Sequence, residues 1–164
     1  MTMRTLIAFS TVAVLSLMLV GLARASTTAE AFQKSYALEQ TGRYAEAMQT
    51  LEQLPDDVDP YTLALRIGWL AYMSGLHDAA IAAYREAIDI HPDAIEPRIG
   101  LLLPQMAAQQ WLDAERDARA ALRIDPNNYY AMSRLAYIQY NLGRYGDAAD
   151  TYREVLELYP SDVE

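Results

Sequence analysis

The sequence predicts an all-α protein built as a solenoid of helical hairpins, and three observations carry that expectation. The first is Tyr129 to Pro160, YYAMSRLAYIQYNLGRYGDAADTYREVLELYP, which reads as two amphipathic helices around a turn. Leu135, Ala136 and Tyr140 mark the apolar side of the first helix, and Gly143 closes it, since glycine takes a positive φ without a Cβ clash. Ala148, Tyr152, Val155, Leu156 and Leu158 recur at three- and four-residue spacing on the second, and Pro160 stops it. The second observation is a recurrence every 34 residues: Pro160, Pro126 and Pro92 align, as do Ala148, Ala114 and Ala80. Tyr152 falls over Ala118 and Tyr84, and Leu135 over Leu101 and Ile67. The third is that hairpins of this length cannot bury an apolar side alone and need stacked neighbours.

A small residue, an aromatic four later and a closing proline at this period resemble the tetratricopeptide repeat (TPR). The resemblance implies a right-handed α-solenoid of about four TPR-like repeats, near residues 28–60, 61–94, 95–128 and 129–162. The first repeat, AFQKSYALEQTGRYAEAMQTLEQLP, has Gly42 and Tyr44 at its turn and Ala47, Leu51 and Leu54 inward. Pro55 shortens its second helix, and PDDVDP follows as a polar turn. The second repeat is regular, with Gly68 expected to let helices approach closely. In the third, Gln109 replaces the turn glycine, so that turn either strains or changes type. Pro104 falls inside its first helix, where it removes a hydrogen bond and bends the axis.

Ahead of the array, Met1 to Arg4 is short and positive, Thr5 to Leu22 is apolar, and Ala23-Arg24-Ala25 ends in small residues. This resembles a secretory signal peptide, residues 1–25, cut before Ser26, and places the mature protein in a periplasm or outside the cell. The rival expectation is an uncleaved membrane anchor. The chain has no cysteine, which excludes lipoprotein attachment and disulfides. Its net charge is −9, and no acid lies in the leader, so loss of Arg4 and Arg24 makes it more negative still. Such acidity argues against nucleic acid and against anionic lipid.

The resemblance also implies a binding surface, because first helices of TPR arrays line a concave face. By position, its partner-binding candidates are Phe32, Tyr36, Arg66, Trp69, Tyr72, Met73, Met106, Tyr130, Arg134, Tyr137 and Tyr140, with Leu65, Ile99 and Leu103 beside them. Tyr36, Trp69, Leu103 and Tyr137 share one column, and Arg66 and Arg134 another. TPR clamps for acidic chaperone tails carry asparagine in the first of these columns and use lysines, so that function does not carry over. Tyrosine, tryptophan and arginine are the types enriched at binding hot spots. The expected function is a non-catalytic scaffold for a protein or peptide partner in a bacterial envelope. The alternative is an accessory protein of polysaccharide export or secretion that binds glycan or an outer-membrane pore component. No cofactor is expected. His77 and His91 read as helix-end caps, and Asp56, Asp57 and Asp59 lack the glycine and glutamate of a calcium loop. The helix carrying Tyr152, Leu156 and Tyr159 is expected to offer an edge for self-association or for a partner's helix.

Overall fold

The computed structural model describes residues 27–52, 54 and 58–163, and every regular element among them is helical. The leader and Pro55 to Asp57 lie outside the described residues. The described residues form an all-α fold of consecutive helical hairpins, as the sequence leads one to expect. Two compact units divide the chain at Val58. The first holds α1, residues 27–40, and α2, Tyr44–Glu52. The second holds α3 (Pro60–Met73), α4 (His77–Ile90), α5 (Glu96–Ala107), α6 (Trp111–Ile124), α7 (Tyr129–Asn141) and α8 (Tyr145–Leu158). A single 3-10 turn, Pro160–Val163, follows. At nine residues α2 is shorter than the fourteen of α4, α6 and α8, as the proline-rich end of that repeat leads one to expect. No helix among the described residues is long and apolar enough to cross a membrane.

The helix ends follow from local chemistry. Asp59 caps α3 by accepting from the Thr62 N–H at 3.0 Å, and Pro60 fills the first helical position, where no donor is needed. Asn128 caps α7 by accepting from the Ala131 N–H at 3.1 Å. Each hairpin turn is the same left-handed closure, with φ of +74° at Gly42, +75° at Gly75 and +75° at Gly143.

Gln109 resolves the alternative posed by the sequence. Its φ is +56°, and its N–H donates to the Met106 carbonyl at 3.0 Å, as Gly75 does to Tyr72 at 2.9 Å. The turn is therefore kept, and the strain of a side chain at positive φ is accepted. Gln109→Gly is expected to stabilise the second unit by about 0.5–1 kcal/mol, read as a shift in urea midpoint. No shift, or a loss, would mean that the Gln109 side chain repays its strain through contacts of its own.

Helix α5 runs through Pro104 in one span, with the ring fully buried and its carbonyl accepting from Ala108 at 2.9 Å. Pro104 is thus also a core residue. Within the second unit consecutive helices pack in chain order, and the first helices stack directly, α3 on α5 and α5 on α7. The small-residue column is buried throughout: Ala47, Ala80, Ala114 and Ala148. One apolar cluster joins Leu102, Ala114, Ala118, Leu135 and Ile138; another joins Ile81, Tyr84 and Leu101.

On α8 the exposure of Tyr152 and Leu156 agrees with the uncovered edge expected there, whereas Leu158 departs from the apolar side read from the sequence. Ala148 and Val155 are buried, but Tyr152, Leu156 and Leu158 are exposed. At the equivalent place in the second repeat, Tyr84 is 4% exposed beneath α5, whereas Tyr152 is 41% exposed with no described helix over it. Tyr159 is tied down, donating its hydroxyl to the Asn127 carbonyl and packing edge-on against Tyr129 at 5.3 Å.

Candidate functional site

The second unit presents α3, α5 and α7 side by side, and their side chains form the candidate surface. On α3, Trp69 and Tyr72 pack against each other at 6.0 Å between centroids, both half-buried, with Met73 half-buried beside them. On α7, Tyr130, Arg134 and Tyr137 recur at helical spacing on one side, and Tyr130, Tyr137 and Tyr140 are exposed. Tyr137 meets Trp111 edge-on at 6.1 Å, and Tyr140 meets Tyr145 at 5.2 Å. Large aromatic rings held by other rings are pre-ordered, so a partner that docks on them loses less side-chain entropy.

Three candidates sit differently from an open band. Arg66 is 7% exposed, although it shares a column with Arg134. Met106 packs against the Leu102–Ile138 cluster and serves the core. Leu65 packs against the Ile81–Tyr84–Leu101 cluster. Phe32, half-buried, and Tyr36, exposed, belong to α1 of the first unit.

At the middle of the surface lies a group that the sequence reading did not assemble. Tyr84 of α4 passes between α3 and α5 at two glycines. A Cβ on Gly68 would lie 3.0 Å from its ring, and one on Gly100 only 2.4 Å from Cε1 and 2.6 Å from Cζ. Gly68 therefore admits an aromatic ring rather than a second backbone. Burial pushes the Tyr84 phenol up to about 12, with Arg134 opposing and Tyr72 adding to the rise. The phenol end is thus within electrostatic reach of both. Arg134, half-buried, donates from Nη1 to the Ile99 carbonyl at 2.6 Å, and its guanidinium lies 5.6 Å from the Tyr130 ring centroid. Burial lowers the Arg134 pKa, while Tyr72, Tyr130 and Tyr84 act to raise it. A 34-residue alignment puts Gly100 between Arg66 and Arg134, which was the available hint of this slot.

Charge is segregated between the two helix sets. Helices α3, α5 and α7 together carry three arginines and one glutamate, net +2. Helices α4, α6 and α8 carry five arginines and ten carboxylates, net −5. The polar contacts of the second set are structural. Glu115, buried, accepts from Arg119 of its own helix and from Arg144 at the next hairpin turn, both at 2.8 Å.

The histidines also have places. His91 ends α4, exposed, with its ring edge-on to Tyr61 at 4.6 Å. That clasp recurs two repeats on as Tyr129 against Tyr159. His77 opens α4, half-buried, 6.2 Å from the Tyr72 ring.

Stacked helical hairpins closed by the same left-handed turn define an α-helical repeat protein. A tetratricopeptide repeat family model matches residues 42–95 and 105–163, and the chain belongs to that family. Over 86 residues the chain is 33% identical to Small glutamine-rich tetratricopeptide repeat-containing protein 2 of Mycosarcoma maydis. That stretch is 52% of this chain and 24% of the relative, so the chain spans about a quarter of that protein's length. Among solved structures, MamA 41-end from Desulfovibrio magneticus RS-1 superposes with a TM-score of 0.72 at 18% identity, covering 82% of this chain and 76% of that one. A tetratricopeptide repeat protein from Parabacteroides merdae gives 0.75 at 20% identity, covering 84% and 56%. At such identities the likeness is one of fold. Tetratricopeptide repeat domains typically bind protein partners.

Proposed function

We propose that the chain is a non-catalytic scaffold in a bacterial envelope that holds an extended peptide segment of a partner across α3, α5 and α7. The observation that carries this is the first-helix surface itself. In a protein of net charge −9 it is net positive, and it offers Trp69, Tyr72, Tyr130 and Tyr137 around Arg134. An envelope location rests on the leader read from the sequence, with a start at Ser26. A glycan ligand is the second reading, supported by the exposed Tyr130, Tyr137 and Tyr140, whose faces suit the C–H side of a sugar ring.

The test uses protein recovered from the envelope of its own cell. Its intact mass should match a chain beginning at Ser26; retention of residues 1–25 would replace export with anchoring. The same protein should bind members of a random peptide library, and Trp69→Ala and Tyr137→Ala should each weaken them about tenfold or more. Soluble polysaccharide that displaces the peptides would favour the glycan reading. Peptide binding untouched by both substitutions would remove this surface from the function.

A further inference from the structure

We propose that the rim where α6, α7 and α8 meet docks a proline-rich segment of a partner in polyproline II form. One proline would sit in each of two corners made by ring pairs, Trp111–Tyr137 and Tyr140–Tyr145. The inference rests on the peptide-scaffold reading and names the chemistry of the segment held.

The four side chains form a continuous series over three helices. Trp111, half-buried at the start of α6, is set against the Leu102–Ile138 cluster. Tyr137 of α7 meets it at 6.1 Å, with the ring planes inclined by 67°. Three residues on, Tyr140 meets Tyr145 of α8 at 5.2 Å and 63°. Tyr137, Tyr140 and Tyr145 are 48%, 58% and 64% exposed, so both corners open to solvent. Other ring pairs among the described residues are already engaged or isolated. Tyr129 packs against Tyr159 as well as Tyr130, and Tyr72 against His77 as well as Trp69. Tyr61 with His91 has no second corner beside it.

Three properties of the corners select proline. Two inclined rings hold a compact pyrrolidine on two sides, whereas the flat side of a sugar would meet one plane only. Proline has no N–H, so pressing it against aromatic carbon leaves no amide donor without a partner. The third property is spacing. Side chains three apart on a helix stand about 5–6 Å apart at Cβ, and the corners lean to opposite neighbours, α6 and α8. Their centres are then on the order of 10 Å apart. One polyproline II turn, three residues at about 3.1 Å each, covers nearly the same distance, and its preformed backbone loses little entropy on docking.

Charge decides the flanks. The arginines beside the rim are engaged, Arg116 with Asp113 at 2.6 Å and Arg144 with Glu115 at 2.8 Å. Helix α8 carries four carboxylates against one arginine. An acid in the segment is therefore opposed there, and a lysine or arginine beside the proline on the α8 side is favoured. Through Tyr137 the rim is continuous with the first-helix surface.

The test uses the whole protein, calorimetry, and decapeptides acetylated and amidated so that no terminal charge is present. An alanine-based peptide with two prolines three apart and one flanking lysine should bind. Replacing either proline by alanine, or setting the two adjacent, should weaken it about tenfold or more, and a flanking glutamate should also weaken it. Tyr140→Ala and Tyr145→Ala should each cost a similar factor, while Tyr145→Phe, which keeps the ring, should retain binding. Thermal melts check that the variants fold. Should an alanine variant unfold, the parent carries the test: its Trp111 Nε1–H resonance should move with the two-proline peptide and stay in place with the all-alanine counterpart. Peptides bound without proline preference, or a preference that survives both alanine substitutions, would overturn the inference and leave the scaffold reading standing. Cellohexaose that shifts the Trp111 resonance where the peptides do not would overturn it in favour of the glycan reading. Failure to bind any peptide, from this set or from the random library, would overturn the scaffold reading together with it.

Discussion

Tyr84→Ala is expected to lower the stability of the second unit by about 3–5 kcal/mol, the range for an aromatic ring removed from a closed core. The ring is 4% exposed and lies between Gly68 and Gly100, which have no side chains to fill the space it leaves. Filling the slot from the other side should also hurt. Gly100→Ala places a Cβ 2.4 Å from Cε1, and overpacking of this kind costs about 1–3 kcal/mol. Combined with Tyr84→Ala, however, the same methyl enters a cavity, so the pair should be less damaging than the sum. Additive urea midpoints would show that the ring does not occupy the slot.

The phenol adds a pH signature. Its folded pKa of about 12 exceeds the ordinary 10.0, so the folded state favours the neutral form. Stability from this group is complete below pH 10 and is lost as pH rises towards 12, by at most about 2–3 kcal/mol. Tyr84 makes no hydrogen bond within the described residues, so Tyr84→Phe should melt like the parent at neutral pH and be spared that alkaline loss. Parallel curves for parent and Phe variant from pH 10 to 12 would refute the buried phenol.

Ala114→Arg is the second large effect, expected to exceed about 3 kcal/mol and to unfold much of the second unit at growth temperature. Ala114 is fully buried against Leu102, Ala118, Leu135 and Ile138, so the new side chain brings both excess volume and a charge without a partner. Ala148→Arg should be milder, because the adjacent Tyr152 and Leu156 are exposed and the long side chain can reach water between them. Ala149→Arg, one residue along on the exposed side, is the control and should change the melting temperature little. An Ala114→Arg melt that matched the parent would mean that the 34-residue register puts the wrong residue inside.

Hairpins, turns and the alanine column were legible because each depends on residues close in sequence or one period apart. The slot was less so. Gly100 reads as a gap between two arginines, and its role depends on a ring sixteen residues back on another helix. Arg66 and Arg134 show a related limit. A shared column fixes the direction in which a side chain leaves its helix, but burial depends on the neighbours it meets there. Arg66 is covered and Arg134 is half open. On α8 the pattern marks the side that prefers burial, while the exposure of Leu156 shows that preference alone supplies no cover. The Tyr61–His91 clasp escaped notice because a histidine at a helix end ordinarily faces water.

The separation of charge between the two helix sets also governs how a partner arrives. At a distance an acidic segment meets a chain of net charge −9 and is repelled. The net +2 of α3, α5 and α7 is felt only within about a Debye length, roughly 8 Å at physiological salt. Encounters are therefore filtered by orientation, since the approach least opposed is the one towards the first helices. Moderate salt screens that long-range repulsion, so it should quicken the arrival of any acidic segment offered to this surface. A stopped-flow series in which salt slowed capture would show that the distant field does not oppose arrival.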